Sequence, residues 1–179
     1  NSFITDNPTE IIDADILLLP GVGSFKKGME NLKKSNLIPL LTNEVVHNKK
    51  PFIGICLGMQ LVASIGNEPE RVNGLGWIEG EVVKIKKQEK LRIPHLGWNT
   101  LLANNNNEFY SEFNNKDVYF IHSYHFEAKN KEEVILNVNY GSNMVAALQK
   151  DNIYAIQFHP EKSQEIGMQL LKKIVNKYA

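Results

Sequence analysis

The apolar positions of this chain follow two different rhythms. In the first third they come in short unbroken runs. Ile16-Leu17-Leu18-Leu19 is one, closed by Pro20-Gly21-Val22-Gly23, and it predicts a buried parallel strand feeding a glycine-rich loop. Residues 25–34 carry a lysine-rich helical pattern. Pro39 suits the first turn of a second helix, with Leu40, Leu41, Val45 and Val46 as its apolar face. After Lys49-Lys50, the run Pro51-Phe52-Ile53-Gly54-Ile55 predicts another buried strand, and Met59-Gln60-Leu61-Val62-Ala63 a helix. Strand, helix, strand, helix signals an α/β fold with a parallel sheet flanked by helices.

The middle changes character. Residues 67–76 read as a loop, 82–85 and 98–102 as strands, and 104–107 as a polar turn. Residues 119–126 read as one aromatic-rich strand, followed by strands at 134–138, 144–148 and 153–157. Tyr140-Gly141-Ser142-Asn143 and Lys150-Asp151-Asn152 supply the turns between them. This is a mostly antiparallel block. Ser163 is the predicted N-cap of a last helix, with Ile166, Leu170, Leu171, Ile174, Val175 and Tyr178 on one face.

Length and composition narrow the function. The 179 residues fit one domain, 1–179, with enough chain to bury a core. Twenty basic residues balance 20 acidic ones, which argues against a nucleic-acid binder held by a basic field. No apolar run is long enough to span a bilayer, so no membrane partner is expected. The single cysteine permits no internal disulfide, and the chain reads as cytoplasmic.

That cysteine, Cys56, sits in Gly54-Ile55-Cys56-Leu57-Gly58, between the apolar strand and the helix. A lone cysteine is ordinarily a small buried hydrophobe. Here a residue thrust out at a strand-to-helix turn between two glycines has the form of a nucleophile elbow, with a thiol for a hydroxyl. The turn is strained and the helix packs close under the strand, so a Cβ does not fit at the glycines. The helix N-terminus favours thiolate. A thiol nucleophile needs a base, and the base needs an orienting group. His159 follows a strand and precedes Pro160, with Glu161 two residues on, so His159 is the candidate base and Glu161 its orienter. The Leu57 N–H is the first candidate oxyanion donor, and the Gly21-Val22-Gly23 loop, through Val22 and Gly23, the second. His47 lies among lysines at a helix end and receives no role. CxxC, HExxH, P-loop and EF-hand patterns are absent, so neither a metal site nor a cofactor is expected.

Gly54-Ile55-Cys56-Leu57-Gly58-Met59-Gln60 and His159-Pro160-Glu161-Lys162-Ser163 resemble the two signatures of class I glutamine amidotransferases. Pro20-Gly21-Val22-Gly23, Pro94-His95-Leu96-Gly97-Trp98-Asn99 and Tyr119-Phe120-Ile121-His122-Ser123-Tyr124 are similar to the branch that serves imidazole glycerol phosphate synthesis. The resemblance covers nearly the whole chain. It implies a flavodoxin-like α/β fold and hydrolysis of L-glutamine by a Cys56-His159-Glu161 triad. It implies substrate contacts from Gly21, Gln60, Ser123 and Tyr124, and a heterodimer with a (β/α)₈ cyclase that receives the ammonia. Trp98, Asn99, Tyr119 and Lys162 resemble the residues of that interface. The family also begins with a strand and helix, roughly two dozen residues, ahead of the segment at Ile11. The expectation is that this sequence is truncated there or that another segment supplies the strand. Three alternatives stay open: a similar subunit feeding an amidino-sugar synthase, a stand-alone α/β cysteine hydrolase, and a non-catalytic binding subunit.

Overall fold

A computed structural model describes residues 2–104 and 108–178. In chain order the elements are α1 (Pro8–Asp13), β1 (Leu17–Gly21), α2 (Phe25–Lys34) and α3 (Ile38–Thr42), which runs into a π-helical turn at Asn43–His47. Then come β2 (Phe52–Cys56), α4 (Leu57–Leu61), β3 (Ala63–Asn67), β4 (Arg71–Asn73), β5 (Ile78–Lys84) and β6 (His95–Ala103). A 3₁₀ turn at Glu108–Phe113 leads to β7 (Asp117–His122), β8 (Tyr124–Ala128), β9 (Val134–Asn139), β10 (Asn143–Lys150) and β11 (Ile153–Ile156). The chain ends with a 3₁₀ turn at Pro160–Lys162 and α5 (Gln164–Asn176).

Seven strands form one sheet in the order β1-β2-β11-β10-β9-β6-β7. β1, β2 and β11 run parallel, and the rest pair antiparallel. The expected α/β architecture is therefore present, but the antiparallel block is a continuation of the parallel sheet. Every residue of β2 is buried, as its unbroken apolar run requires. A second sheet, β4-β3-β5-β8, lies beside the first. α2 buries Phe25 and Met29, and its last-turn Lys33 and Lys34 complement the helix dipole.

Several sequence expectations need correction. Among the described residues β1 lies at the sheet edge and Leu18 is half exposed, so the apolar run is not buried on both faces there. The helix after Cys56 stops at Leu61, and residues 63–67 and 71–73 are strands rather than helix end and loop. Pairing of β3 with β5 and β4 overrides the local signal. Residues 119–126 are two strands broken at Ser123, one in each sheet, so the chain changes sheets there. Ser163 stands at the N-cap position of α5 as expected, but its side chain makes no cap bond; its Oγ donates to the His159 carbonyl and accepts from the Tyr119 N–H. Val175 is partly exposed beside the buried Leu170 and Ile174. Of the turn expected at 104–107, residues 105–107 lie outside the described residues.

Candidate active site

β2 delivers Cys56 to its C-terminal end with φ 54 and ψ −105, a conformation that residues with a Cβ rarely adopt. Close contact holds it there. A Cβ on Gly58 would lie 1.8 Å from the Leu19 carbonyl oxygen, and one on Gly54 would lie 2.7 Å from that of Gly58. The two glycines thus let α4 press onto β1 and β2, as the elbow motif demands. Burial pushes the Cys56 thiol up to about 11; the Leu57 N–H and Lys162 pull it down, and Glu161 and Glu68 push it up. The expected thiolate preference from the helix N-terminus is therefore overruled by desolvation. α4 is only five residues long, and its dipole is correspondingly weak. Cys56 rests as a thiol and needs a base.

His159, nearly fully buried, follows β11, the parallel neighbour of β2. Its Nδ1 is 2.7 Å from Glu161 Oε1. A carboxylate only accepts, so Nδ1 carries a proton, and in the neutral ring Nε2 is the atom with the lone pair. That Nε2 is buried and has no hydrogen-bond partner. The backbone is pinned as well: the His159 N–H donates to the Tyr119 carbonyl at 2.9 Å, and Ser163 Oγ ties both strands together. Cys56, Leu57 and His159 line one cavity of about 200 Å³ together with the loop residues Val22 and Gly23. This is smaller than the ~300–1,000 Å³ of drug-sized sites and suits a small metabolite. Gly23 has φ +111. Gly21 pairs in register with Cys56 and packs on the Leu57 side chain, so it spaces the loop without reaching the cavity wall.

The cavity is also lined by Gln60, Ser123 and Tyr124, which the sequence anticipated, and by Glu68 and His122, which it did not. Gln60 Nε2 donates to the Tyr124 carbonyl at 3.0 Å and to Gln157 Oε1 at 3.1 Å. Both amide protons are then spent, and Oε1 is left as an acceptor. Glu68 Oε2 accepts from the Phe25 N–H at 3.0 Å, which ties the start of α2 to the cavity wall. Nothing in the polar stretch around Glu68 marked it out. Gln157 did leave a signal: it is a polar residue between Ile156 and Phe158. A larger cavity, about 430 Å³, lies between β8 and β10 and shares no lining residue with this one. The chemistry follows the thiol, not the larger volume.

The model of the family described as glutamine amidotransferase class-I matches residues 3–177. The chain belongs to the class I glutamine amidotransferase family. It is similar to imidazole glycerol phosphate synthase subunit HisH 1 of Campylobacter jejuni subsp. jejuni serotype O:23/36 (strain 81-176), 51% identical over 172 residues, which are 96% of this chain and 85% of that one. Subunit HisH 2 of Methanococcus maripaludis is 42% identical over 176 residues, covering 98% of this chain and 87% of that one. A crystal structure of a glutamine amidotransferase superposes with a TM-score of 0.72 over 96% of this chain and 85% of that one. At 16% identity this likeness speaks to fold alone.

The amidotransferase also carries an apolar patch beside its cavity. Trp98 on β6 and Tyr119 on β7 are register partners with ring centroids 6.0 Å apart. Lys162 Nζ lies 5.8 Å from the Tyr119 ring. Leu96 and Ile121 extend the patch, both well exposed, and Ile121 also lines the cavity. Asn99 points to the other side of β6, where it holds His95. Among the described residues, no group of three or more His, Cys, Asp or Glu is placed to hold a metal ion. No helix of the described residues is long and apolar enough to cross a membrane.

Proposed function

We propose that this chain is the glutaminase subunit of imidazole glycerol phosphate synthase, acting in histidine biosynthesis in the cytoplasm. The observation that carries the reading is the unpartnered, buried Nε2 of His159 in the cavity that Cys56 lines. Nε2 takes the thiol proton as sulfur attacks the carboxamide carbon of L-glutamine. The resulting oxyanion meets the Leu57 N–H and the backbone amides of Val22 and Gly23. The His159 imidazolium, steadied by Glu161, gives its proton to the leaving nitrogen, the C–N bond breaks, and ammonia departs. His159 then takes a proton from water, which cleaves the thioester to glutamate and restores the thiol. The substrate's α-ammonium group finds the free Gln60 Oε1 and the Glu68 carboxylate. Its α-carboxylate lies toward Ser123 and Tyr124.

Ammonia is neutral and diffusible, so a partner must receive it at the site. The Trp98-Tyr119-Lys162 patch beside the cavity mouth fits a docking face for a (β/α)₈ cyclase, with Asn99 supporting it from behind. Relatives named as imidazole glycerol phosphate synthase subunits support this partner. The test is glutamate release from glutamine, with and without the cyclase subunit and its ribonucleotide ligand. Stimulation of at least about ten-fold is expected, and it vanishes in Cys56→Ala. Absence of stimulation with folded subunits would overturn the partner and favour an amidino-sugar synthase in its place.

A further inference from the structure

An unbroken line of hydrogen bonds runs from β6 to the nucleophile. Asn99 Nδ2 donates to His95 Nε2 at 3.1 Å and also to the Asn139 carbonyl, while its Oδ1 accepts from the Thr100 N–H. His95 Nδ1 is 3.0 Å from His122 Nε2, and His122 Nδ1 is 2.9 Å from the Tyr124 carbonyl. That carbonyl accepts from Gln60 Nε2, which also donates to Gln157 Oε1. Gln157 Nε2 ends the line 3.8 Å from Cys56 Sγ.

Every direction in this line is determined. A carbonyl only accepts, so His122 carries its proton on Nδ1 and presents a lone pair at Nε2. His95 must then donate from Nδ1 and accept at Nε2 from Asn99. Gln60 spends both amide protons, so Gln157 must turn its oxygen toward Gln60 and its N–H toward the sulfur. The opposite flip would set a carbonyl oxygen against the developing thiolate. Gln157 is fully buried, and His95 and His122 nearly so. A polar side chain in such a place is costly if unpaired, and an apolar side chain of similar size would pack without that risk. What distinguishes the amide is the donor it aims at sulfur.

We propose that Gln157 is a catalytic donor to Cys56 Sγ, and that Gln60, itself turned by the Tyr124 carbonyl, is the positioning residue that fixes its orientation. The N–H stabilises the sulfur as it gains charge and fixes the side chain for attack. His159 and Glu68 line the same cavity as the sulfur, and the charges of Glu161 and Lys162 also act on it. The role deepens the glutaminase reading and rests on it for its purpose. The donor itself is testable without glutamine.

The test is the rate of Cys56 alkylation by iodoacetamide in the unliganded full chain, followed across pH. In Gln157→Leu the rate near neutral pH falls roughly ten-fold and its rise moves to higher pH, with the thermal melt retained. Gln60→Leu, which removes the donor that turns the Gln157 oxygen away from sulfur, slows alkylation and moves its rise in the same direction. Gln157→Glu, of the same size but with acceptor oxygens toward the sulfur, slows it further. A folded Gln157→Leu that alkylates at the wild-type rate overturns the proposal. So does a wild-type pH profile in Gln60→Leu, a measurement that stands even if the Gln157 variant does not fold. Because no glutamine is present, failure of the glutaminase reading would show separately, in the glutamate assay.

Discussion

The two halves of the large sheet divide the work differently. The parallel strands β1, β2 and β11 put the glycine loop, Cys56 and His159 at neighbouring strand ends, so every reacting group comes from one short region. The antiparallel strands β6, β7, β9 and β10 carry no reacting atom. They supply the carbonyl that pins His159, the histidine pair behind Tyr124 and the exposed aromatic patch. On the proposed chemistry, local backbone geometry in one half sets the reactivity, and long-range hydrogen bonds from the other hold the groups in place.

The largest break in that comparison comes from the parallel half. Gly58→Ala places a Cβ on the Leu19 carbonyl oxygen, and backbone cannot step aside as a flexible side chain would. Loss of at least about 3 kcal/mol of stability is expected, read by urea denaturation, together with loss of glutaminase activity. Wild-type stability would mean that α4 is not pressed on β1 as described.

A smaller effect sharpens the antiparallel half. Burial lowers His95 to about 4 and His122 to about 3, and lowers His125 in the same direction. In the unfolded chain each titrates near about 6.5. The unfolded state therefore binds more protons below that pH, and stability must fall as pH drops from about 6.5 toward about 4. The melting temperature should decline through this window, and decline less in His95→Gln, which removes one of the titrating groups. A flat profile in the wild type would show that the pair is protonated in the fold.

This division also explains what the sequence made legible. Cys56, His159 and Glu161 stood out in the sequence because the features that single them out lie within a few residues: glycines that permit a turn, a proline, a strand end. The family model confirms the class those motifs suggested. Gln157 left only its polarity between two apolar neighbours as a signal, and Glu68 and His122 left none, because their partners Cys56, Phe25 and His95 lie 101, 43 and 27 residues away respectively. The single strand expected at 119–126 failed for a related reason. Its apolar pattern is continuous through Ser123, and only pairing with β6 on one side and β5 on the other reveals the change of sheet.

Activation of Cys56 by His159 is the step on which the proposed glutaminase chemistry depends. The most direct measurement is covalent trapping with a diazoketone analogue of glutamine, quantified by mass spectrometry. One adduct per chain on Cys56 is expected, suppressed by excess glutamine and slowed by about 10²-fold or more in His159→Gln. Labelling elsewhere, or an equal rate in the wild type and His159→Gln, would contradict it.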